Sequence, residues 1–483
     1  MSSQNNNNIA DAEARHEQAF GEFVYMPEDL REKINAIKNN SQNVKRFQMI
    51  ADDVDSLSDL AWQLLGRYIA KNTHLEVIRL TKCSLNDNHM RMLMQGLVRS
   101  ESINEIDLSS TLYANSNLNN HLGVDGIRSM IPFLQNSPRL SVIDLNHNQR
   151  IGSEAFESLV SALDGGAIEE LHLVGCRIED ISALGNTTLP HLKTLSLINN
   201  NINLIGDISS CTSLESLNLS GNLGVNYTRC RAIAHLLQNE ESRLETLNLD
   251  RTGIDDEGVE ILMASLKHNT TLRTLYLRVS ENYITIRGYQ AILKLLIDVS
   301  SIDNTYTSNH TVEELFLPTR LSSRHINFAL SKNRHYHHAG KQKIIHYQFN
   351  HLNRTELATL QGITPPTHNS VYVQIDPVVL PDVLAMIGEN CTHSDMYLAL
   401  TATASDLTSL VNKPAVFRER IEKNERKAAA LTADCERKVA ALKAECESKV
   451  AALTAKNLKM KEELELFQSN EQNQARGTKR DRS

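Results

Sequence analysis

The side chains of this 483-residue chain that could do chemistry sit at fixed offsets from a recurring leucine phrase. They are Arg79, Glu105, Asp107, Asp144, Glu170, His172, Asn218, Asn248, Tyr276, Arg278 and Phe316. The chemistry they offer is non-covalent recognition. The carboxylates of Glu105, Asp107, Asp144 and Glu170 would favour a basic segment and speed its approach, and exposed tyrosine and arginine are residue types that anchor protein interfaces. Nothing in the sequence pairs a nucleophile with a base, and there is no phosphate-binding glycine loop and no metal-ligand spacing. The segment NRHYHH carries His335, His337 and His338, but a zinc site needs four correctly arranged ligands, and no Cys pair or His-Glu-x-x-His motif accompanies them. We read it as a solvated turn. The chain is therefore expected to be no enzyme and to use no cofactor and no metal.

The elements that must position these residues are written in nine copies of the phrase apolar-x-x-apolar-x-Leu, among them LEVIRL, LSVIDL, LESLNL and LRTLYL. The copies end at Leu80, Leu108, Leu145, Leu173, Leu197, Leu219, Leu249, Leu277 and Leu317, in steps of 28, 37, 28, 24, 22, 30, 28 and 40 residues. Each phrase predicts a short strand, with leucines on one face and the intervening residues on the other, because side chains alternate along a strand. One outward position then reads Arg79, Asp107, Asp144, His172, Ser196, Asn218, Asn248, Tyr276 and Phe316 along the array. That face has an acidic early third, a small polar middle and a late third of Tyr276, Arg278 and Phe316.

A period in the twenties with this phrase is the leucine-rich repeat signature. Three residues past the last leucine the pattern asks for Asn or Cys. Asn148, Asn200, Asn222, Cys83 and Cys176 answer it, and Thr111, Thr252 and Ser280 stand in as small polar substitutes. The expected role is to turn inward and satisfy backbone groups where the strand ends. Arg320 does not fit, so the array should fray into a cap there. Helical spacing follows most copies, most clearly in GIDDEGVEILMASLKHNTTLRTLYL, with Ser153 and Thr228 as expected N-caps in two others. The 24- and 22-residue steps leave no room for a full helix and predict an extended or single-turn path. Two polar inserts, TLYANSNLNNHLGVDG and DVSSIDNTYTSNH, lengthen the 37- and 40-residue steps.

This strand–helix alternation, with DEGVEILMASLKHNTTLRTLYL as its most specific stretch, resembles the ribonuclease-inhibitor-like class of leucine-rich repeat proteins. That class includes the repeat domains of NOD-like receptors and the Ran-type GTPase-activating proteins. The resemblance implies an α/β solenoid, with parallel strands on the concave face, helices mostly on the convex face, and a protein partner on the concave side. It also implies an alternative. LNNHLGVDG is similar to the asparagine-rich loop of the Ran-type proteins, which would make Asn119 or Asn120 a positioning residue and Arg79 or Arg128 a charge donor. The long acidic tail of that family is absent, and no nucleotide-binding module precedes the repeats as in an immune sensor.

The expected organisation is a disordered start (1–18), an N-terminal helical cap (19–55), the solenoid (56–335), a C-terminal cap or appendage (336–412), a coiled-coil helix (413–468) and a disordered basic tail (469–483). The coiled coil rests on three tandem copies of eleven residues over 427–459. Their stripe (Leu431, Val439, Leu442, Val450, Leu453 and Leu464) advances by 3.67 residues per turn on average, the spacing of a straight or slightly right-handed bundle. A rod with one narrow apolar stripe should pair with a copy of itself or with another helix. Net charge is −8 and the pI about 6.1, which argues against a nucleic-acid or anionic-membrane footprint. There is no apolar run long enough to span a membrane and no secretory signal at the start. Seven thinly spread cysteines suit a reducing compartment. The cytoplasm is the expected location, with the nucleus as the alternative.

Overall fold

A computed structural model describes residues 21–50, 57–98, 100–110, 119–224, 227–278, 282–318, 321, 323–334, 339–344, 347 and 351–363. The coiled-coil stripe from Leu431 to Leu464, the basic tail, the histidines of NRHYHH (His335, His337 and His338), Thr111, Ser280, Arg320 and most of 336–412 lie outside them. The described residues up to 298, with those of 308–340 and 360–362, form one compact unit, and those of 299–307 and 341–359 belong to another.

The first unit is built on one parallel sheet of ten strands in sequence order. They are β1 (Arg46–Ile50), β2 (Val77–Thr81), β3 (Glu105–Asp107), β4 (Val142–Asp144), β5 (Glu170–His172), β6 (Thr194–Ser196), β7 (Ser216–Asn218), β8 (Thr246–Asn248), β9 (Thr274–Tyr276) and β10 (Glu314–Phe316). Each strand is one rung. The nine phrases account for β2 to β10. The first rung is an addition: RFQMI pairs residue for residue with VIRLT, Phe47 against Ile78 and Met49 against Leu80. It lies in the stretch 19–55 for which only helices were expected, and it escaped because Phe and Met do the work of leucine there. Both are fully buried.

The inward residues form a continuous core. Ile78, Ile106, Ile143, Leu171, Leu195, Leu217, Leu247 and Leu275 are one layer, and Leu80, Leu108, Leu145, Leu173, Leu197, Leu219, Leu249 and Leu277 the next, all buried. Helices close the other side of this core: α1 (Glu28–Lys38), α2 (Asp59–Lys71), α3 (Asp87–Leu97), α4 (Val124–Gln135), α5 (Gly152–Ala162), α6 (Tyr227–Gln238), α7 (Asp256–Leu266) and α8 (Ile286–Leu296). Between β5 and β7 the two short repeats hold only a 3₁₀ turn, Ser182–Asn186, and an extended path anchored by Ile202, Ile205 and Ile208. This is the economy that their 24 and 22 residues predict. Strands repeat every ~4.8 Å while packed helices need about 8–10 Å, so the strand side is the inner side of the array's bend.

Side chains at the helix starts tie neighbouring repeats together. Asp255 caps α7 by accepting from the Gly258 amide at 2.9 Å, and Asn86 caps α3 through His89 at 2.9 Å. Asp256 instead accepts from Thr285 and Gly288 of the next repeat, at 2.7 and 2.9 Å. Ser153 behaves in the same way. It lies inside α5 rather than capping it, and its hydroxyl accepts from Glu179 and Asp180, both at 3.0 Å. Thr228 likewise falls inside α6, one residue past its start. Helices α2 and α3 approach so closely that a Cβ on Gly66 would lie 2.2 Å from the Leu93 carbonyl oxygen. Only glycine fits.

Past β2 and β4 to β8 the chain turns through a left-handed residue two places beyond the last leucine: Lys82, His147, Gly175, Asn199, Gly221 and Arg251. The next side chain then faces the core. Asn148, Asn200 and Asn222 are buried there. Each donates to the carbonyl of its own last leucine and to that of the preceding rung; for Asn222 these are Leu219 at 2.7 Å and Leu197 at 2.9 Å. Its Oδ1 accepts from the Ile202 amide at 3.1 Å. Cys83 and Cys176 make weaker versions through Sγ to Met49 and Leu145 carbonyls. Burial pushes the Cys176 thiol up to about 12, so it stays protonated and donates. Thr252 donates to Leu249 at 2.8 Å. Two further asparagines act at a longer spacing: Asn120 serves Leu80 and Leu108, and Asn282 serves Leu249 and Leu277.

Replacing Asn222 by alanine strands the Ile202 amide and the Leu219 carbonyl, at a cost of roughly 2–4 kcal/mol. Urea unfolding followed by circular dichroism should show that loss, against under about 0.5 kcal/mol for the exposed Asn201→Ala. Equal midpoints for the two variants would refute the ladder's energetic role.

Candidate functional site

Strand register turns the outward residues into straight rows. Arg79 pairs with Asp107, Asp107 with Asp144, Asp144 with His172, His172 with Ser196, Ser196 with Asn218, Asn218 with Asn248, Asn248 with Tyr276 and Tyr276 with Phe316. A second row runs through Glu105, Val142, Glu170 and Thr194. Helices cover the opposite face, so these rows are the open face of the sheet.

At the early end, Arg79 forks onto one oxygen of Glu105, with Nε at 3.0 Å and Nη2 at 2.7 Å. Asp107 and Asp144 lie close enough to add to the field that holds its proton. His172 Nε2 lies 3.2 Å from Glu170 Oε2. The Asp107 and Asp144 side chains also have a backbone duty. Oδ1 of Asp107 accepts from the Ser109 amide at 3.0 Å, and Oδ1 of Asp144 from the Asn146 amide at 2.9 Å. Asn218 and Asn248 repeat the arrangement with Ser220 and Asp250, at 3.0 and 2.9 Å. An Asx turn at the strand end thus accounts for the recurrence of Asp and Asn in this row. Burial pushes the Asp144 carboxyl up, the Asn146 amide opposes it, and the Asp107 carboxylate raises it further.

At the late end, Tyr276 and Phe316 stack with centroids 4.4 Å apart and planes tilted by 7°. Strand spacing explains this: rings on adjacent rungs stand one repeat apart. The Arg278 guanidinium carbon is 4.7 Å from the Phe316 centroid and 5.3 Å from that of Tyr276, so it flanks the pair rather than separating it. Asp250, outside the candidate set, braces this arginine. Its Oδ2 lies 3.3 Å from Arg278 Nε and its Oδ1 accepts from the Arg278 amide at 2.5 Å. Sequence alone could have flagged Asp250 by its place beside Arg278 in the outward rows. The late cluster is assembled, while Asn218 and Asn248 form a plain polar stretch between the two ends.

Two residues of the GTPase-activating alternative, Asn120 and Arg128, are engaged within the fold. Asn120 is fully buried. Its Nδ2 donates to Leu80, Leu108 and Ser109 carbonyls, and its Oδ1 accepts from the Cys83 and Leu85 amides. That leaves the side chain committed to the backbone. Arg128 lies on helix α4, paired with Glu154 at 2.7 Å, on the side away from Arg79.

The raised Asp144 carboxyl has a consequence for stability. Its folded-state pKa lies above the unfolded value, so its contribution is present at acid pH and is lost as pH rises through the folded pKa. Asp144→Asn keeps the Oδ1 acceptor and removes the buried charge. Thermal melts should therefore show the variant above wild type at pH 7, with the gap closing below about pH 4. A variant less stable than wild type at pH 7 would contradict this.

Among the described residues no group of three His, Cys, Asp or Glu could hold a metal ion, and no helix is long and apolar enough to cross a membrane. Residues 167–223 match the family described as Leucine rich repeat. FERM domain-containing protein C of Dictyostelium discoideum is 27% identical over 153 residues, which are 32% of this chain and 9% of that protein. The alignment thus spans less than a tenth of that relative's length. Among solved structures, Leiomodin-1 Actin-Binding Site 2 is similar at 16% identity, over 30% of this chain and 80% of that one, with a TM-score of 0.26. The matched segment, 167–223, lies inside a row of ten parallel rungs that share one pattern of buried side chains, and this array is a leucine-rich repeat solenoid.

Proposed function

We propose that the chain is a non-enzymatic scaffold of the ribonuclease-inhibitor-like kind that holds a protein partner on the open, concave face of its solenoid. The observation that carries this reading is the preassembled cluster of Tyr276, Phe316 and Arg278. Tyrosine and arginine dominate interface energetics when they are held in place, and a stacked pair is worth about 0.5–1.5 kcal/mol beyond its buried area. Here the rings are aligned by strand register and the guanidinium by Asp250, so little side-chain entropy is left to lose on binding. The acidic residues at the other end favour a protein over a nucleic acid.

The tail completes the proposal. Residues 413–468 pair two copies of the chain, or dock another helix, through Leu431, Val439, Leu442, Val450, Leu453 and Leu464. Two linked faces raise apparent affinity without new contacts. The setting is the cytoplasm or nucleus.

Quantitative affinity capture from a cell lysate tests the face. Tyr276→Ala with Phe316→Ala should reduce the specifically retained partner at least about tenfold relative to the full-length chain. Undiminished retention would put the site elsewhere. Light scattering tests the tail, because a chain lacking residues 415–483 should be monomeric where the full chain is a dimer. An unchanged oligomeric state would remove the pairing claim.

A further inference from the structure

The open face is more finely organised than a generic binding wall. Four side chains of its central row are locked by their Asx turns: Asp107 and Asp144 early, Asn218 and Asn248 later. Each spends Oδ1 on a backbone amide and keeps its second polar atom for something else. For the aspartates that atom is an acceptor, and for the asparagines it is a donor. Acceptors therefore stand over β3 and β4, and donors over β7 and β8. The rotamers are fixed before any partner arrives.

Past the Glu170–His172 pair of β5, the face over β6 to β8 carries the small side chains Thr194, Ser196, Ser216 and Thr246 beside the two asparagines. Ser196 is the low point of this corridor. It lies in the outward row between His172 and Asn218 and is only 8% exposed. A hydroxyl in an open row can exchange a hydrogen bond with a group that passes over it. The corridor ends at the Tyr276–Phe316 stack, an apolar wall with Arg278 beside it.

We infer that the occupant is an extended peptide segment of the partner, lying across the rungs with a basic residue over Asp107 and Asp144 and an apolar side chain against Tyr276 and Phe316. The inference rests on the reading of this face as the binding surface and names what binds there. An extended segment suits the Asn218 and Asn248 donors because its backbone carbonyls are free, whereas a helix has used its own internally. A backbone passing over small side chains also comes near enough to reach the Ser196 hydroxyl. From β4 to β9 is five steps of ~4.8 Å, and from β3 to β10 seven, which an extended chain covers in about seven to ten residues.

The test is selection of a phage-displayed random 12-residue peptide library on the full-length chain. Selections on Asp107→Asn with Asp144→Asn, and on Tyr276→Ser with Phe316→Ser, run in parallel. Circular dichroism checks that both variants are folded, and the Asn substitutions retain the Asx acceptor. Enriched peptides should carry Lys or Arg about seven to ten residues from an aromatic or large aliphatic residue. The acidic-end variant should bind them at least fivefold more weakly and stop selecting the basic residue; the stack variant should stop selecting the apolar one. Enriched peptides without that spacing, indifferent to the Asn substitutions yet lost on the stack variant, would overturn this inference and leave the face as the binding surface. Peptides indifferent to both variants would overturn the two together. No enrichment above an unrelated bait would overturn the extended-peptide occupant.

Discussion

Wherever a strand of this array leaves the sheet, its last carbonyl and the amides that follow are buried beyond the reach of water, and something must satisfy them. On five rungs an asparagine does this, and Cys83, Cys176 and Thr252 do it in part on three others. Asn200 shows the full pattern: Nδ2 donates to the Leu173 and Leu197 carbonyls at 2.8 and 2.9 Å, while Oδ1 accepts from the Cys176 and Ile178 amides at 2.9 and 3.0 Å. Each such side chain bonds to two rungs at once, so it sets the spacing of the stack as well as closing its own turn. A second row works where helices hand over to strands. Asn269 Nδ2 donates to the Leu237 carbonyl and its Oδ1 accepts from the Thr271 and Leu272 amides, and Asn309 repeats this with Leu266, Thr311 and Val312. The strands are thereby pinned at both ends.

The open face inherits its order from this pinning. With register held, residues from distant parts of the chain fall into straight rows, and neighbours in a row meet at the strand spacing. This is why Tyr276 and Phe316, 40 positions apart in sequence, stack with a 7° tilt. The same row explains why Asp107 and Asp144 lie close enough for one carboxylate to raise the other. Recognition chemistry and backbone satisfaction share side chains here. The Asx acceptors that close the strand ends are also the groups that offer a free oxygen or nitrogen to the open side.

The departures from the sequence reading have one source each. β1 was hidden because Phe47 and Met49 replace the leucines of the phrase, although their burial and pairing are those of any other rung. Asn120 and Asn282 were hidden by distance. The ladder position is met 12 residues after Leu108 and 5 after Leu277, rather than three. A loop can carry its asparagine back to the same place in space, since what matters is the position of the orphaned carbonyls. Ser153 was misassigned because a hydroxyl near a helix start can serve its own helix or the next repeat, and local sequence does not distinguish the two.

The periodicity is legible in the chain alone: which leucines turn inward, which residues share a row, and where the convex side lacks a helix. Those follow from the two-residue alternation of strands and from repeat length, both of which are local. Which side chains complete one another across rungs emerges only once the rungs are stacked. Asp250 bracing Arg278, Asn120 withdrawn from the surface, and Ser196 sunk between His172 and Asn218 all depend on residues more than 20 positions away. Hydrogen bonds and ring stacking act over a few ångströms of space, and a repeat brings remote residues within that range only once its neighbours have stacked.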